Sequence, residues 1–209
     1  MSRIGSVFVR IQRFVLPLLV LCASAGVANA ATTLDNMQAA FNGESNAHVR
    51  YLSFAQRAES EGYGEVASLF RAAARAEEVH AGNHAQVIQE MGGVAHTQME
   101  TLTVKSTREN LEAAIQGETY ERDTMYPDFL KQAEADGAVR AERSLNFAKT
   151  AEAEHAKLFA AALEHLDSLK GTSNTPYYVC PTCGFTTRER SFAKCPSCFT
   201  RAEAFEMVS

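Results

Sequence analysis

Two motifs of the same form, Glu77-x-x-His80 and Glu152-x-x-His155, constrain the fold of this 209-residue chain more than any other feature. Residues three apart lie on one face of a helix, so each motif presents a carboxylate beside an imidazole. A Gly-Glu pair precedes each motif, Gly43-Glu44 before the first and Gly117-Glu118 before the second. One Glu from each of two helices, with a Glu-x-x-His from each of two others, is the ligand set of a di-iron site in a four-helix bundle. The sequence therefore predicts an all-α bundle built around two metal ions.

The two halves of the predicted bundle repeat each other in sequence. Asn36–Glu44 matches Asn110–Glu118 at an offset of 74, whereas Tyr51 matches Tyr126 at an offset of 75. The third helix therefore contains one extra residue between Glu118 and Tyr126. A helix can absorb one residue in a π-bulge, and such bulges tend to lie at functional sites. We predict a bulge in this segment that helps to direct a further carboxylate, Glu121, toward the metals.

Apolar periodicity and helix-breaking residues place the four helices. Short glycine-containing breaks after the first and third helices predict two antiparallel hairpins, and a longer polar connection joins them, as in ferritin-like bundles. The capping-box pattern Ser106-x-x-Glu109 marks the start of the third helix. The predicted helices, within a bundle domain at residues 31–170, are 33–61, 65–91, 107–136 and 139–169.

The first thirty residues have the pattern of a cleaved export signal. Three arginines precede an apolar run from Phe14 to Val27, which is too short to span a membrane comfortably. Ala28-Asn29-Ala30 then gives a small-x-small cleavage pattern, so we expect cleavage before Ala31 and a periplasmic protein; an uncleaved N-terminal anchor is the alternative. Cleavage leaves 17 basic and 25 acidic residues, a formal charge of −8, which argues against a nucleic-acid-binding surface.

The C-terminal segment carries two Cys-x-x-Cys pairs. Cys180 and Cys183 form the first, Cys195 and Cys198 the second, with eleven residues between the pairs. This spacing indicates a tetrahedral four-cysteine metal site in a module at 178–209, after a linker at 171–177. The residue pattern alone does not distinguish iron from structural zinc, and in an oxidising compartment the thiols could instead pair as disulfides.

Together these features resemble the rubrerythrins over essentially all of the chain after residue 30. Besides the Glu-x-x-His motifs, the Gly-Glu pairs and the cysteines, the resemblance rests on Arg50-Tyr51, Glu61-Gly62-Tyr63, Leu69-Phe70-Arg71 and Met125-Tyr126-Pro127. It implies a di-iron centre in the bundle and a rubredoxin-like iron in the tail. The implied di-iron ligands, which would also be the catalytic residues, are Glu44, Glu77, His80, Glu118, Glu121, Glu152 and His155; the implied ligands of the third iron are Cys180, Cys183, Cys195 and Cys198.

The resemblance further implies a function and partners. A di-iron peroxidase of this kind reduces hydrogen peroxide to water and receives electrons from a donor, here unidentified, through the thiolate-bound iron. One iron would exchange Glu121 for His80 as the oxidation state changes. Because transfer within one subunit is expected to be too long, the resemblance implies a head-to-tail homodimer. A ferroxidase with a structural zinc ribbon, and a non-catalytic metal-binding protein, are the alternatives.

Several neighbouring residues have roles that the sequence leaves open. Tyr51 and Tyr126 occupy equivalent repeat positions, which suits either hydrogen bonds to ligand carboxylates or core packing. Arg71 and Arg75 are expected to pair with acids on helix faces. The histidines without repeat partners, expected to be exposed or internally satisfied, are His48, His84 and His96.

Overall fold

The computed structural model describes Met1 and residues 31–209; the predicted export signal lies outside the described residues. Five helices form the bundle, and α3 continues through a π-helical segment, Glu121–Met125, into α4, so that together they make its third long helix. The helices are α1 Thr33–Ser60, α2 Gly64–Glu90, α3 Thr107–Tyr120, α4 Tyr126–Ala135 and α5 Val139–Glu164. The prediction of four long helices is confirmed, except that the last ends in a 3₁₀ turn at Leu166–Leu169.

Local sequence signals account for the helix ends. The Ser106 side chain caps α3 by accepting from the Glu109 amide, and the Glu109 carboxylate accepts from the Ser106 amide, which confirms the predicted capping box. Thr32 and Asp35 form a second capping box at the start of α1. The chain turns after α1 at Gly62, whose φ of +80° lies in a region that glycine adopts without a steric penalty.

The π-helical segment confirms the predicted bulge. It occupies Glu121–Met125, inside the segment where the repeat offset changes from 74 to 75. The wider turn accommodates the extra residue, so the residues before and after it keep their faces toward the bundle interior. Glu118 and Tyr126, on either side of the bulge, are both buried as a result.

Two apolar clusters fill the bundle, and the predicted ligands form a polar layer between them. One cluster is centred on the aromatic rings of Tyr51, Phe54, Phe70 and Phe159. The other contains Met37, Ile88, Tyr126 and Leu145. Along each long helix, the ligand positions fall between the stretches that supply these clusters. Apolar packing on both sides therefore holds the ligand side chains in place and excludes water from them.

The tail packs against the bundle of its own chain. It contains a three-stranded antiparallel sheet of order β2-β1-β3, with β1 Tyr177–Val179, β2 Thr186–Thr187 and β3 Glu206–Val208. Tyr177 and Val179 join the first apolar cluster, so β1 begins one residue before the predicted domain boundary and belongs to the core. A 3₁₀ turn at Ala202–Ala204 precedes β3.

The linker is hydrogen-bonded to the start of α2. The Gly64 amide donates to the Thr172 carbonyl (3.2 Å), and the Thr175 amide donates to Ser68 Oγ (3.2 Å). Gly64 must be glycine here, because a Cβ atom would lie 2.5 Å from the Thr172 carbonyl oxygen. These contacts direct the tail onto the adjacent faces of α2 and α5.

Within the part of the chain that the structure describes, no helix has both the length and the apolar character needed to cross a bilayer.

Candidate metal centres

Six of the seven predicted bundle ligands converge in the polar layer. One group contains Glu44 from α1, Glu77 and His80 from α2, and Glu152 from α5; a second contains Glu77, Glu152, Glu118 from α3 and His155 from α5. Within each group, one ligand atom per residue lies within 4.8 Å of all the others. Glu77 and Glu152 belong to both groups, so their carboxylates would be available to metal ions held in either group.

Each histidine presents Nδ1 to the carboxylates. His80 Nδ1 lies 2.8 Å from Glu77 Oε2 and 3.0 Å from Glu152 Oε1. His155 Nδ1 lies 2.9 Å from Glu152 Oε2 and 3.5 Å from Glu77 Oε1. The two imidazoles thus face the same pair of shared carboxylates, Glu77 and Glu152, from opposite repeat halves.

Unpaired polar atoms at this site indicate that cations belong there. Buried side-chain atoms normally have hydrogen-bond partners, and orphaned ones are strongly destabilising. Here six such atoms, all on predicted ligands, have no partner in hydrogen-bond geometry, although some lie within about 3 Å of a neighbouring nitrogen or oxygen: Glu44 Oε2, Glu77 Oε1, Glu118 Oε2, Glu152 Oε1, Glu152 Oε2 and His155 Nδ1. Carboxylate oxygen and imidazole nitrogen suit iron, so the donor set fits two iron ions.

The electrostatics of the metal-free layer lead to the same conclusion. Burial, together with the charges of Glu77 and Glu152, raises the pKa of Glu44 well above its usual range. Burial, with the charge of Glu77, raises the pKa of Glu118 to about 7. Burial also opposes ionisation of Glu77, but the imidazoles of His155 and His80 outweigh it and lower its pKa to about 2. Without cations the layer must therefore bind protons, and two metal ions supply the compensating charge.

Tyr51 and Tyr126 hold the carboxylates, as one of the two sequence interpretations predicted. The Tyr51 hydroxyl donates to Glu118 Oε1, and the Tyr126 hydroxyl donates to Glu44 Oε1. Each tyrosine thus fixes the glutamate of the opposite repeat half. Both are also fully buried in the apolar clusters, so packing and hydrogen bonding act together.

Glu121 lies beside the two ligand groups but belongs to neither. Its side chain is half-buried, at the first residue of the π-helical segment. Burial and the charges of Glu44 and Glu118 raise the pKa of Glu121 well above its usual range. Glu121 is therefore close enough to the site for the charges of the ligand carboxylates to affect its protonation. The structure therefore has His80 inside the site and Glu121 at its edge. This is the arrangement in which His80, and not Glu121, would bind the metal; the predicted exchange of ligands would reverse the two.

His84 is a neighbour of the site that sequence reasoning treated only as exposed or satisfied. It is fully buried: Nδ1 lies 2.8 Å from Ser144 Oγ, and Nε2 lies 3.3 Å from the Tyr126 hydroxyl. Burial and the nearby His80 lower the pKa of His84 to about 3, so it is neutral. Its spacing of four residues from His80 was the available signal, since i and i+4 share a helix face. Of the other two histidines, His48 contacts the Ala74 carbonyl and His96 is exposed.

The four cysteines form a second site, in the tail. Cys180 Sγ lies 3.5 Å from Cys198 Sγ, and Cys183 Sγ lies 3.6 Å from Cys195 Sγ. A disulfide needs about 2.05 Å, whereas sulfurs bound at about 2.3 Å to one tetrahedral ion lie about 3.8 Å apart. All four cysteines are free thiols within 4.8 Å of one another, an arrangement that fits one iron or zinc ion.

The tail contacts the bundle ligands directly. His80 Nε2 lies 3.1 Å from the Cys183 carbonyl oxygen, which can only accept, so Nε2 carries the proton and Nδ1 is free to bind a metal. Thr186 Oγ1 donates to the Gly184 carbonyl (2.9 Å) and accepts from His155 Nε2 (3.0 Å), which fixes the same tautomer at His155. The predicted separation of the tail from its own bundle, which motivated the head-to-tail dimer, is therefore wrong for this chain.

Ion pairs at the edge of the interface also join the tail to α2. Arg75 Nε lies 2.7 Å from Glu206 Oε2, and Arg75 also pairs with Glu78 on its own helix. Arg71 pairs with Glu59 of α1, at 2.7 Å, and donates to the Ser209 carbonyl. The expected pairing with helix-face acids is confirmed, and both arginines in addition bind the tail.

The helical bundle, its paired carboxylate–histidine layer and the four-cysteine tail define a ferritin-like di-iron protein with a rubredoxin-like domain. The sequence model of the family described as Rubrerythrin matches residues 35–163. The chain therefore belongs to the rubrerythrin family, whose members are generally oxidoreductases, and its sites take two iron ions in the bundle and one iron or zinc in the tail.

Individual relatives agree with this assignment. Rubrerythrin-2 of Clostridium acetobutylicum is 35% identical over 183 residues, covering 84% of this chain and 96% of that protein. Nigerythrin of Nitratidesulfovibrio vulgaris is 35% identical over 175 residues, covering 83% and 85%. The structure of fully reduced, all-ferrous nigerythrin superposes with a TM-score of 0.79 at 30% identity, covering 95% of this chain and all of that one. Bacterioferritin of Desulfovibrio desulfuricans, with a TM-score of 0.63 and 23% identity, shares the fold.

Proposed function

We propose that the protein reduces hydrogen peroxide to water at the bundle site, using electrons that pass through the four-cysteine site of the same chain, and so protects against oxidative stress. The observation that carries the proposal is the contact between the two sites. His80, a bundle ligand, meets the backbone of Cys183, a tail ligand, at 3.1 Å. A ferroxidase with a purely structural tail has no need of this contact.

The relay has a short covalent and hydrogen-bonded path. It runs from the Cys183 side chain through its own backbone carbonyl to the Nε2 proton of His80, and across the imidazole to Nδ1. His80 and Cys183 are both fully buried. Water is thus excluded from the path, and the carbonyl holds the imidazole in one tautomer.

When bound, two ferrous ions in the bundle supply the two electrons that peroxide reduction requires, and a thiolate-bound iron in the tail returns electrons one at a time. The protein must also supply two protons per peroxide. Glu121 suits this role, because it lies at the edge of the layer, is half-buried and has a raised pKa. It can exchange a proton with solvent while remaining next to the buried carboxylates.

Tyr51 and Tyr126 orient the carboxylates during the reaction. Each hydroxyl donates to one oxygen of a glutamate, Glu118 or Glu44, and leaves the second oxygen buried without a hydrogen-bond partner. The second oxygen of each glutamate would then be available to ligate a metal ion. This arrangement favours an ordered site over a mixture of carboxylate rotamers.

A comparison of metals at the tail tests the proposal. Protein with iron in both sites is compared with protein whose bundle holds iron and whose tail holds zinc, using peroxide and a one-electron donor. We expect the reduced bundle of both forms to be oxidised by one addition of peroxide, and sustained turnover only when the tail holds iron. Equal sustained turnover in both forms contradicts the relay. Rapid oxidation of added ferrous ion by dioxygen, with no reaction toward peroxide, would instead identify a ferroxidase.

We further propose that the protein is exported and acts in the periplasm after cleavage before Ala31. The support is the basic, apolar and small-residue pattern of the first thirty residues, followed by a bundle whose first cap is Thr32. A head-to-tail homodimer remains a prediction that the relay no longer requires.

A further inference from the structure

The two halves of the bundle differ in polarity at one pair of equivalent positions. At the offset of 75 residues that relates the two Glu-x-x-His motifs, His84 matches Phe159 and Ser144 matches Leu69. Leu69 and Phe159 are buried in the first apolar cluster. His84 and Ser144 are also buried, with 0% and 6% of their surface exposed, but they bond to each other: His84 Nδ1 lies 2.8 Å from Ser144 Oγ. One half of the bundle thus has a polar pair where the other has an apolar pair.

The same difference extends to the two tyrosines that hold ligand carboxylates. Tyr51 packs against Phe159, with ring centroids 5.4 Å apart, and within residues 31–209 its hydroxyl bonds only to its ligand carboxylate. Tyr126 packs against His84, with ring centroids 6.2 Å apart. The Tyr126 hydroxyl donates to Glu44 Oε1 and also lies 3.3 Å from His84 Nε2. The hydrogen bonding therefore ends at Tyr51 in one half and continues beyond Tyr126 in the other.

The donors along this continuation all point the same way. Because Tyr126 gives its hydroxyl proton to Glu44, its oxygen accepts the proton on His84 Nε2. Burial and the nearby His80 lower the pKa of His84 to about 3, and a neutral imidazole that donates at Nε2 accepts at Nδ1. Ser144 must then donate to Nδ1. The hydrogen bonds therefore run in one direction, from Ser144 through His84 and Tyr126 to Glu44.

These hydrogen bonds begin at a cavity on the surface. Ser144 lines a cavity of about 70 Å³ that is bordered by α2, α5 and the tail, and Asn83 and Thr182 form part of its wall. A cavity of this size with polar walls has room for more than one water molecule. The three residues that follow Ser144 along the hydrogen bonds are all fully buried. Ser144 is thus the point at which solvent meets them.

Packing does not explain the polar pair. The equivalent positions in the other half are filled by leucine and phenylalanine, so the fold accommodates apolar side chains there. Replacing both partners of a buried hydrogen bond by apolar groups of similar shape is often neutral or stabilising. A buried serine and histidine therefore bring no evident advantage in stability. A role in the reaction at the bundle site accounts for them.

We propose that Ser144, His84 and Tyr126 form a proton path from this cavity to Glu44. When one proton passes, solvent gives a proton to Ser144 Oγ, Ser144 gives its own to His84 Nδ1, His84 Nε2 gives one to the Tyr126 oxygen, and Tyr126 gives one to Glu44 Oε1. No electron moves, and the hydroxyls and the imidazole turn back before a second proton follows. This inference rests on the proposed peroxide reduction and names residues that supply one of the protons it consumes, alongside Glu121.

The first measurement compares the hydroxyl protons of Tyr126 and Tyr51 in the chain from residue 31 onward, loaded with diamagnetic zinc. Carbon-13 NMR of tyrosine labelled at Cζ, in mixtures of light and heavy water, gives the rate at which each hydroxyl exchanges with solvent. Tyr51 is the internal control, because it also donates to a ligand carboxylate but packs against Phe159. We expect Tyr126 to exchange at least about tenfold faster than Tyr51. In His84→Phe, which copies the other half, its rate should fall to that of Tyr51.

The second measurement follows oxidation of the reduced, iron-loaded protein by hydrogen peroxide in stopped flow. His84→Phe and Ser144→Ala should slow this oxidation by at least about tenfold, because positioned proton transfer contributes about 100-fold or more to a rate. His84→Gln keeps an amide that can donate to Tyr126 but does not conduct protons, so it should remain as slow as His84→Phe. The matched control, His48→Phe, removes a hydrogen-bonded imidazole from α1 and should leave the rate unchanged.

Equal exchange of Tyr126 and Tyr51 in the parent would overturn the proposal, as would fast exchange of Tyr126 that persists in both His84→Phe and Ser144→Ala. Recovery of the parent rates in His84→Gln would also overturn it, because the imidazole would then only hold Tyr126 in place. Oxidation of His84→Phe at the parent rate would refute the path and leave the peroxidase reaction standing. Failure of peroxide to oxidise the parent, with hydroxyl exchange as expected, would refute the peroxidase reaction alone.

Discussion

Substituting Gly184 by alanine should separate the tail from the bundle ligands. The new Cβ would lie 2.2 Å from His80 Nε2 and 2.8 Å from Cδ2, far inside van der Waals contact. His80 cannot retreat, because its other edge lies 2.8 Å from Glu77 and 3.0 Å from Glu152. The tail must therefore move by about 1 Å or more, which breaks the hydrogen bond from His80 to the Cys183 carbonyl.

The magnitude follows from two contributions. Alanine at a φ of +75° costs about 1–2 kcal/mol relative to glycine, and leaving the buried His80 N–H without a partner costs about 1–3 kcal/mol. Docking of the tail should therefore weaken by about 2–5 kcal/mol, so that the tail opens at least about thirtyfold more often. The matched control is Gly137→Ala: Gly137 has a φ of +64°, but a Cβ there meets nothing within 4 Å. The control should lose only the backbone contribution of about 1–2 kcal/mol.

Hydrogen exchange with mass spectrometry measures the effect by region. Gly184→Ala should raise exchange in residues 171–209 while the midsections of α1 and α2 keep their protection. Gly137→Ala should leave exchange in the tail unchanged. If Gly184→Ala exchanges like the control throughout the tail, then the contact between Gly184 and His80 does not hold the two parts together, and the relay path described above is wrong.

Three further predictions concern the histidine contacts, the acid–base balance and the N-terminus. Thr186→Val should weaken metal binding in the bundle by about 10–100-fold, because His155 loses the partner that fixes its tautomer. The control, Thr187→Val at the neighbouring and more exposed position, should leave metal binding unchanged. Competitive titration measures the metal affinities, and equal affinities for the two variants would contradict the role of Thr186. The metal-free protein should lose stability as the pH rises from about 4.5 to about 7, since the folded state raises the pKa of Glu118 from 4.5 to about 7 and so favours its protonated form. Denaturant unfolding at several pH values measures the free energy of unfolding. A free energy of unfolding that rises over the same pH range would refute the prediction. Mass spectrometry of the protein from its native cells should find Ala31 as the first residue, in the periplasmic fraction, whereas intact Met1 would exclude cleavage.

The repeat pattern predicted most of the bundle because each part of it obeys a local rule. Glu-x-x-His fixes a helix face, Ser106-x-x-Glu109 fixes a helix start, and the change of offset between Glu118 and Tyr126 requires one residue to be absorbed. The structure places six predicted ligands together in the bundle and four in the tail. These outcomes follow from spacing along one chain, which a single sequence displays directly.

The position of the tail could not be predicted, because it depends on contacts between residues that are far apart in sequence. Nothing in the local pattern of Gly184 indicates that His80 lies against it, or that Thr186 completes the hydrogen bonding of His155. His84 was likewise treated as an isolated histidine, since its partners Ser144 and Tyr126 come from other helices. Glu121 was predicted as a seventh ligand, but its exact placement depends on how the π-helical segment turns its side chain.

The most direct test of the account is an anaerobic titration of the fully reduced, iron-loaded protein with hydrogen peroxide, followed by ferric–thiolate absorption at several protein concentrations. The three ferrous ions of a fully loaded chain give one electron each, and each hydrogen peroxide molecule takes two electrons. We therefore predict consumption of about 1.5 peroxides per chain. The thiolate absorption should appear at a rate independent of protein concentration, because both sites lie in one chain. Consumption of about one peroxide with no change at the thiolate site would contradict the proposed relay, and no consumption would contradict the proposed reaction.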